Sequence, residues 1–263
     1  DEKGKNIVLE KLQNSPIYIE FNNSQSALYP HQINAVKHSL KTWPVRTLFS
    51  DEVGLGKTLE LGFLIEYMLR NNLVENVLIL CPAQLTKQWQ KEMHIHFGRD
   101  FYRYERKNKK WIPFENEKEV LSQNFPIKYN KNSDFPNLAI MSTSIAARHL
   151  EKNIFDNSDS FPEFLVLDEA HHARQQIFPN KQKKQTLLRE ILDNNKERMK
   201  HVAFATATPL RTQLEEYYYL LEILGLDEFI NLTEYLSSLD IVRDHYQNPN
   251  RTTALRYLTS IYI

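Results

Sequence analysis

Two glycines, a lysine and a threonine stand within five residues of one another, in the order of a phosphate-binding loop. The run is Gly54, Leu55, Gly56, Lys57 and Thr58. Glycine permits a tight turn in which backbone N–H groups surround an anion, and a helix that begins here adds its positive end. Lys57 would then bridge the β- and γ-phosphates of a nucleotide, and the Thr58 hydroxyl would ligate Mg²⁺. The strict pattern has a further glycine where this chain has Asp51, so a chance glycine turn before a helix is the alternative.

Two adjacent carboxylates, Asp168 and Glu169, follow a short apolar run and supply complementary chemistry. If that run is a strand, its carboxyl end lies where ligands bind in open α/β sheets. Asp168 would hold Mg²⁺ directly or through water, and Glu169 would accept the proton of the water that attacks the γ-phosphate. The alternative is that Asp168 and Glu169 only cap the N-terminus of a helix. His171 and His172 follow, but no third nitrogen or sulfur ligand stands at a spacing that would make a zinc site.

The elements that must position these residues are visible as apolar runs that alternate with helical spacings. Nearly continuous apolar runs are expected for parallel strands that helices cover on both faces. The runs are Thr47–Phe49, Val77–Cys81, Leu138–Met141, Phe164–Leu167 and Val202–Ala205. Helical spacings begin near Leu59, Leu85 and Leu214. We therefore predict an α/β fold with a doubly wound, mostly parallel sheet over residues 25–225, preceded by an N-terminal extension at 1–24.

Three regions depart from this alternation. Residues 99–137 are polar and irregular and are predicted to be a surface excursion, whose basic cluster from Arg103 to Lys110 contacts DNA or forms a solvated face. Residues 175–200 are a second polar stretch that leads into a helical pattern. After Gly225, a predicted helix stop, residues 226–263 are predicted to be a helical tail that starts an insertion or a connection to a second domain.

Composition limits the classes of protein that fit. The chain has 263 residues, a formal net charge of +0 and 41% hydrophobic residues, which is typical of a globular protein with a sizeable core. The longest apolar run is far shorter than the roughly 20 residues of a membrane helix, so no membrane partner is expected. The single Cys81 excludes an internal disulfide and fits a reducing compartment such as the cytoplasm. Because Asp1 is not an initiator methionine, a processed or excised form is expected.

Together the two motifs resemble those of superfamily 2 helicase-type ATPases and, within them, the Swi/Snf-related DNA translocases. The segment from Asp51 to Thr58 is similar to motif I of that family, in which the first position is commonly Asp or Ala, so that Asp51 fits. With Val53, the motif I sequence is most similar to that of a bacterial branch, which includes RapA-like proteins and helicase-like proteins of phage defence. The segment from Asp168 to His171 resembles motif II. The resemblance implies a RecA-like motor domain that uses ATP and Mg²⁺.

Further segments carry the same resemblance. The run that ends at Gln32 resembles the upstream glutamine motif, which implies that Gln32 reads the adenine edge. The run from Ala205 to Pro209 resembles motif III, which implies that Thr206 and Thr208, with His171, link the γ-phosphate site to the nucleic-acid surface. A cap on the following helix is the plain alternative for Thr206.

Two more segments resemble motifs Ia and Ib, which touch the DNA backbone in the family. The candidate contacts are Pro82, Gln84, Lys87, Ser142 and Thr143. Short hydroxyl and amide side chains suit phosphate contacts, which position a protein on DNA without reading its sequence. Gln84 stands where the family usually has Ser, and each segment alone is equally compatible with a strand-to-helix cap.

The resemblance implies that the chain is the ATP-binding half of an ATP-dependent translocase on double-stranded DNA. Its partner would be a second RecA-like domain of the same full-length protein, whose arginine contributes roughly 10³ to 10⁵ in rate, so the chain alone is expected to turn ATP over slowly, if at all. Alternatives are a strand-separating helicase, the motor subunit of a restriction or phage-defence system, and a nucleotide-dependent nucleic-acid-binding module without turnover. The sequence from Asp51 to Thr58 resembles the motif I of RNA helicases less than that of the DNA translocases.

Overall fold

The computed structural model describes residues 29–50, 56–107, 110–114, 136–149, 161–173, 175–177, 183–206 and 214–225. The helices within them are α1 (Pro30–Ser39), α2 (Lys57–Arg70), α3 (Thr86–Phe97), α4 (Thr143–His149), α5 (Leu187–Asn194) and α6 (Leu214–Ile223). The strands are β1 (Arg46–Phe49), β2 (Val77–Cys81), β3 (Tyr102–Glu105), β4 (Lys110–Ile112), β5 (Leu138–Ser142), β6 (Phe164–Leu167), β7 (Gln175–Ile177), β8 (Lys183–Gln185) and β9 (His201–Ala205). Short 3-10 turns occupy Ala83–Leu85, Ala170–His172 and Lys196–Arg198.

A seven-stranded sheet in the order β1-β9-β6-β2-β5-β3-β4 forms the centre of the molecule. Neighbouring strands are parallel except for β3 and β4, which pair antiparallel. The register places Leu167 of β6 between Leu80 of β2 and Phe204 of β9. The carboxyl ends of these three central strands therefore lie side by side. The predicted mostly parallel α/β sheet is confirmed.

Helices cover both faces of this sheet, because alternate residues of each central strand enter different cores. In β2, Val77 and Ile79 belong to one core and Leu78 and Leu80 to the other. The first core is completed by side chains of α1, α2 and α3, and the second by side chains of α4, α5 and α6. A strand buried on both faces needs apolar residues at every position, which is why these strands read as continuous apolar runs.

The region predicted as a surface excursion differs in part from that expectation. Its first segments, β3 and β4, form a hairpin that extends the sheet, with β3 parallel to β5. Tyr104 and Trp111 meet edge-to-face with ring centroids 5.1 Å apart and pack against the second core. The Gln90 amide donates to the carbonyls of Phe101 at 2.7 Å and Ile112 at 3.0 Å. Aromatic residues of the two strands thus pack on the second core, while Arg103, Glu105 and Lys110 place charges among them.

Other predictions divide between the described and undescribed parts of the chain. The second polar stretch contains the β7–β8 pair and α5. The last described helix ends at Ile223, two residues before Gly225, which adopts a φ of +72° as a helix stop does. The proposed extension at 1–24 and tail at 226–263 lie outside the described residues. None of the helices that are described has both the length and the apolar character needed to cross a membrane.

Candidate functional site

Most of the residues singled out from sequence stand where strands of the sheet end. Asp168 and Glu169 follow β6, Thr206 follows β9, and the loop that leads to Lys57 follows β1. The candidate nucleic-acid segments follow β2 and end β5. Since these strands are parallel, their carboxyl ends share one edge, which we call the carboxyl edge. It is the edge at which open α/β sheets bind ligands.

The end of the predicted phosphate loop is shaped by Gly56, which has a φ of +87° and immediately precedes α2. A Cβ atom at this position would lie 2.4 Å from Nε2 of Gln32. The Gln32 side chain is buried, and its Oε1 accepts a hydrogen bond from the Tyr29 N–H at 3.0 Å. The start of α1 is thus packed directly on the phosphate loop, and only glycine fits between them without a shift. Asp51, Gly54 and Leu55 lie outside the described residues, and adenine reading by Gln32 stays a prediction.

Asp168 is a buried carboxylate whose two oxygens are both held by N–H donors. Its Oδ2 accepts from Nε1 of Trp89 at 2.9 Å, and its Oδ1 accepts from the Glu169 N–H at 2.9 Å. Burial raises the pKa of Asp168 above its ordinary value, while the Trp89 hydrogen bond and, more weakly, the charge of Lys57 lower it. Lys57 at the start of α2 and Asp168 after β6 both stand at the carboxyl edge, which agrees with this electrostatic influence.

Glu169 adopts a left-handed backbone conformation, with φ 54° and ψ 51°. This conformation costs a residue with a Cβ about 1–2 kcal/mol, and such strain is concentrated at functional sites. A 3-10 turn follows, and the Glu169 side chain makes no capping hydrogen bond to it, so the alternative of a helix N-cap is not what the structure shows for this residue. The turn instead brings Oε2 of Glu169 to 3.1 Å from Nδ1 of His171.

His171 joins the end of β6 to the end of β9. Its Nδ1 lies 3.3 Å from Oγ1 of Thr206, a residue with no exposed surface. The Thr206 N–H donates to the Phe49 carbonyl at 3.0 Å, which ties this threonine to the strand before the phosphate loop. The structure therefore brings Glu169, His171 and Thr206 together, and the linking role of His171 and Thr206 stays a prediction. Thr208 lies outside the described residues.

The candidate nucleic-acid residues separate into exposed and buried sets. Gln84 and Lys87 are exposed, whereas Pro82 and Ser142 are buried and Thr143 is partly buried. The Ser142 hydroxyl lies 3.3 Å from that of Ser144 and accepts from the Ile145 N–H at 3.4 Å, as a cap on α4 does. Contact with nucleic acid is open to Gln84 and Lys87, and all five roles stay predictions.

The donor set of the carboxyl edge fits a magnesium ion. Mg²⁺ is bound through one or two carboxylates together with phosphate oxygens and waters. Asp168 offers the carboxylate, and Thr58, in the first turn of α2, offers a hydroxyl. In the described part of the chain, no three His, Cys, Asp or Glu side chains are grouped so as to hold a metal by themselves. A cation here would depend on the nucleotide phosphates for the rest of its oxygen ligands.

Trp89 is the residue at this edge that the sequence does not reveal. Its place in the helical spacing of α3 predicts burial, and its side chain is 1% exposed. A buried indole N–H needs an acceptor, and that requirement is the one signal in the sequence. The acceptor, Asp168, stands 79 positions further along the chain, so its identity depends on the packing of α3 against the sheet.

Comparisons with known proteins agree with this geometry. The model of the SNF2-related domain family matches residues 31–262. The RNA polymerase-associated protein RapA of Cronobacter sakazakii is 28% identical over 210 residues, 80% of this chain and 20% of RapA. RapA of Erwinia tasmaniensis is 25% identical over 213 residues, 81% of this chain and again 20% of that protein. The chain thus spans about a fifth of the length of these relatives.

Solved structures show the same fold at low sequence identity. The Sulfolobus solfataricus SWI2/SNF2 ATPase core in complex with dsDNA matches with a TM-score of 0.56 and 18% identity, over 92% of this chain and 44% of that one. The UvsW helicase from bacteriophage T4 matches with a TM-score of 0.50 and 13% identity, over 84% of this chain and 64% of that one. With the family match over most of its length, the chain belongs to the SNF2-related domain family.

Proposed function

We propose that this chain is the ATP-binding half of a translocase that moves along double-stranded DNA. The observation that carries the proposal is the convergence of Lys57, Asp168 and the Glu169–His171–Thr206 contacts at one sheet edge. Residues 25–225 would form the first RecA-like motor domain, and residues 226–263 would begin an insertion or the connection to the second. The chain belongs to the SNF2-related domain family, and a structurally similar SWI2/SNF2 ATPase core was solved in complex with dsDNA. These two findings support duplex DNA as the proposed substrate.

The residues of the carboxyl edge divide the chemistry of ATP hydrolysis between them. Lys57 and the backbone N–H groups from Gly54 to Thr58 would bind the phosphates. Asp168 with the Thr58 hydroxyl would hold Mg²⁺, which would supply positive charge to stabilise phosphoryl transfer. Glu169 accepts a proton from the attacking water. Asp51 belongs to the same loop, and Gln32 reads the adenine edge. The left-handed turn at Glu169 supports the role of this residue as a general base, because the turn places the carboxylate beside His171.

Coupling to DNA follows from the positions of His171 and the exposed segment after β2. His171 contacts both Glu169 and Thr206, so a shift of the end of β9 would change the position of the Glu169 carboxylate. Thr208 would extend this link. Gln84 and Lys87 would contact DNA phosphates, together with Pro82, Ser142 and Thr143 through their backbone and hydroxyl groups. Closure against the second RecA-like domain would convert turnover into movement.

The test is the ATPase activity of the full-length protein with duplex DNA, single-stranded DNA and RNA, beside Lys57→Ala. The proposal expects the largest stimulation by duplex DNA and loss of turnover in the variant. Stimulation by single strands alone would favour a strand-separating helicase. Nucleotide binding without turnover under every condition would favour a binding module. The chain alone should hydrolyse ATP slowly, since it would lack the arginine of the second domain, and strong duplex stimulation of the chain alone would contradict that expectation.

A further inference from the structure

Trp89 contacts the candidate metal site through one polar atom and the core through the rest of its ring. The indole is fully buried in the first core beside α2. Its N–H donates to Oδ2 of Asp168 at 2.9 Å, while the backbone N–H of Asp168 donates to the Leu80 carbonyl at 2.8 Å. The backbone of Asp168 is therefore fixed by the sheet, and the rotation of its carboxylate is fixed by a helix packed on the sheet.

The two N–H donors leave the carboxylate able to bind a cation in one orientation. The Glu169 N–H occupies one acceptor position of Oδ1, and Trp89 occupies one of Oδ2. Each carboxylate oxygen has a second lone pair, and the two that are left point away from the donors. A buried carboxylate held by charge-assisted hydrogen bonds is pre-organised for a metal ion, in the way that partners of metal ligands generally orient them.

The same tryptophan lies on the helix that begins at the exposed segment after β2. The Leu85 N–H donates to the Pro82 carbonyl at 2.9 Å, and the Thr86 hydroxyl donates to the Ala83 carbonyl at 3.0 Å. These bonds join the segment to the first turn of α3, in which Lys87 is exposed and Trp89 is buried. Lys87 and Trp89 are two residues apart in α3, one exposed and the other buried against Asp168.

We propose that Trp89 is a positioning residue that couples the segment 82–87, in which Gln84 and Lys87 are exposed, to the Asp168 carboxylate. A phosphate backbone bound at Lys87 and Gln84 displaces the first turn of α3, and the displacement changes the hydrogen bond that orients Asp168. The indole thereby sets how readily Mg²⁺ with its nucleotide is bound, and makes that binding respond to nucleic acid. The inference rests on the proposed function, because it needs both an ATP·Mg²⁺ site and a nucleic-acid surface.

The direct test observes the indole itself. The full-length protein is labelled with 5-fluorotryptophan. The ¹⁹F resonances of Trp89 and Trp111 are assigned as those lost in Trp89→Phe and in Trp111→Phe, with Trp89→Tyr used if Trp89→Phe does not fold. The Trp89 resonance should shift when Mg²⁺ is added with a non-hydrolysable ATP analogue, and shift again with duplex DNA. The Trp111 resonance, from the hairpin ring pair with Tyr104, is the internal control and should stay in place with Mg²⁺ and the analogue. A Trp89 resonance that stays in place in both titrations overturns the inference.

The second test uses Trp89→Phe, which keeps a buried ring and removes the N–H, with Trp111→Phe as the matched control. The Mg²⁺ concentration for half-maximal binding of a fluorescent ATP analogue should rise about tenfold in Trp89→Phe, the worth of one charge-assisted hydrogen bond. The factor by which duplex DNA stimulates turnover should also fall in this variant. The control should match the parent in both. Parent values for Trp89→Phe in both measurements overturn the inference.

The measurements distinguish failure of the translocase proposal from failure of the proposed role of Trp89. If the parent shows no duplex-stimulated turnover while Mg²⁺ and nucleotide still shift the Trp89 resonance, the translocase proposal fails, and the coupling to DNA fails with it. If duplex DNA stimulates the parent while Trp89→Phe and the resonance are both unresponsive, the role of Trp89 fails and the translocase proposal stands.

Discussion

Strand β6 carries an acidic residue at each end, and the two are used in opposite ways. Before the strand, Oε2 of Glu163 accepts the backbone N–H groups of Glu75 at 2.6 Å and Asn76 at 3.3 Å. After the strand, Oε2 of Glu169 lies 3.1 Å from the ring of His171, on a left-handed turn. The first carboxylate closes a loop against the backbone. The second contacts a titratable side chain and is held in a strained conformation.

The same contrast holds for other polar residues at the two ends of the sheet. At the amino end, Nδ1 of His201 accepts the Val45 N–H at 3.0 Å, and the Arg46 guanidinium donates to the carbonyls of Leu224 and Met199. At the carboxyl edge, the partners of Asp168 and Thr206 include the side chains of Trp89 and His171. Amino-end polar groups satisfy the backbone and stabilise the fold. Carboxyl-edge polar groups contact and orient one another.

The largest expected difference is between the two glutamates of β6. Glu169→Gln removes the proposed general base, and general bases contribute typically 10²–10⁴-fold. We therefore expect DNA-stimulated turnover of the full-length protein to fall by about that factor, while the affinity for ATP stays near that of the parent. Steady-state hydrolysis and equilibrium binding of a fluorescent ATP analogue measure the two quantities.

Glu163→Gln is the matched control at the other end of the strand. It weakens hydrogen bonds to two backbone N–H groups, so the free energy of unfolding should drop by about 1 kcal/mol, with turnover unchanged. Equal losses of turnover in the two variants would contradict the proposal that Glu163 stabilises the fold while Glu169 takes part in hydrolysis.

The sequence predicts the centre of this sheet well because of how its strands are buried. A strand such as β2, with all five residues buried, must be apolar throughout, and parallel strands necessarily place their carboxyl ends together. The grouping of Lys57 with Asp168 follows from that geometry, although the roles of the site residues stay predictions. The edge hairpin of Tyr104 and Trp111 is hidden in the sequence because only alternate residues are apolar among many charges.

Features that depend on packing between distant segments are not readable from the chain. The Trp89–Asp168 hydrogen bond joins residues 79 positions apart. Its formation requires α3 to dock on the first core at one particular rotation. The positive φ of Glu169 is likewise invisible, because glutamate gives no local signal for a left-handed conformation that tertiary contacts impose.

The next largest effect concerns stability against acid and arises at the amino end. Burial, and then the charges of Lys200 and Arg46, lower the pKa of His201 to about 3. The ordinary pKa of histidine is about 6.5, so below that pH the unfolded chain binds a proton that the folded chain does not. Stability should be intact above pH 6.5 and fall as the pH falls toward 3. From pH 7 to 4.5 this group contributes a loss of about 2 to 3 kcal/mol.

Urea unfolding at several pH values measures this loss. His201→Asn should be less stable at pH 7, since it leaves space in a fully buried site, but its stability should fall less steeply with acid. The exposed His172→Asn should keep the steepness of the parent. A His201→Asn curve as steep as that of the parent would assign the acid sensitivity to other groups.

The smallest effect compares a glycine from each end of the sheet. Gly56 at the carboxyl edge and Gly225, whose added Cβ would lie 3.8 Å from the Arg46 guanidinium, have φ values of +87° and +72°. Alanine at either site should cost about 1 kcal/mol for the left-handed backbone. At Gly225 the new methyl group meets ordinary contacts, whereas at Gly56 it lies 2.4 Å from Nε2 of Gln32.

Gly56→Ala must therefore also displace the buried Gln32 amide and weaken its hydrogen bond from the Tyr29 N–H, which should add about 1 kcal/mol. A double-mutant cycle isolates this part. In a Gln32→Ala background, Gly56→Ala and Gly225→Ala should lower the free energy of unfolding equally. If the excess cost of Gly56→Ala persists without the Gln32 side chain, then the packing of α1 on the phosphate loop is not what requires glycine there, and the requirement belongs to the loop backbone alone.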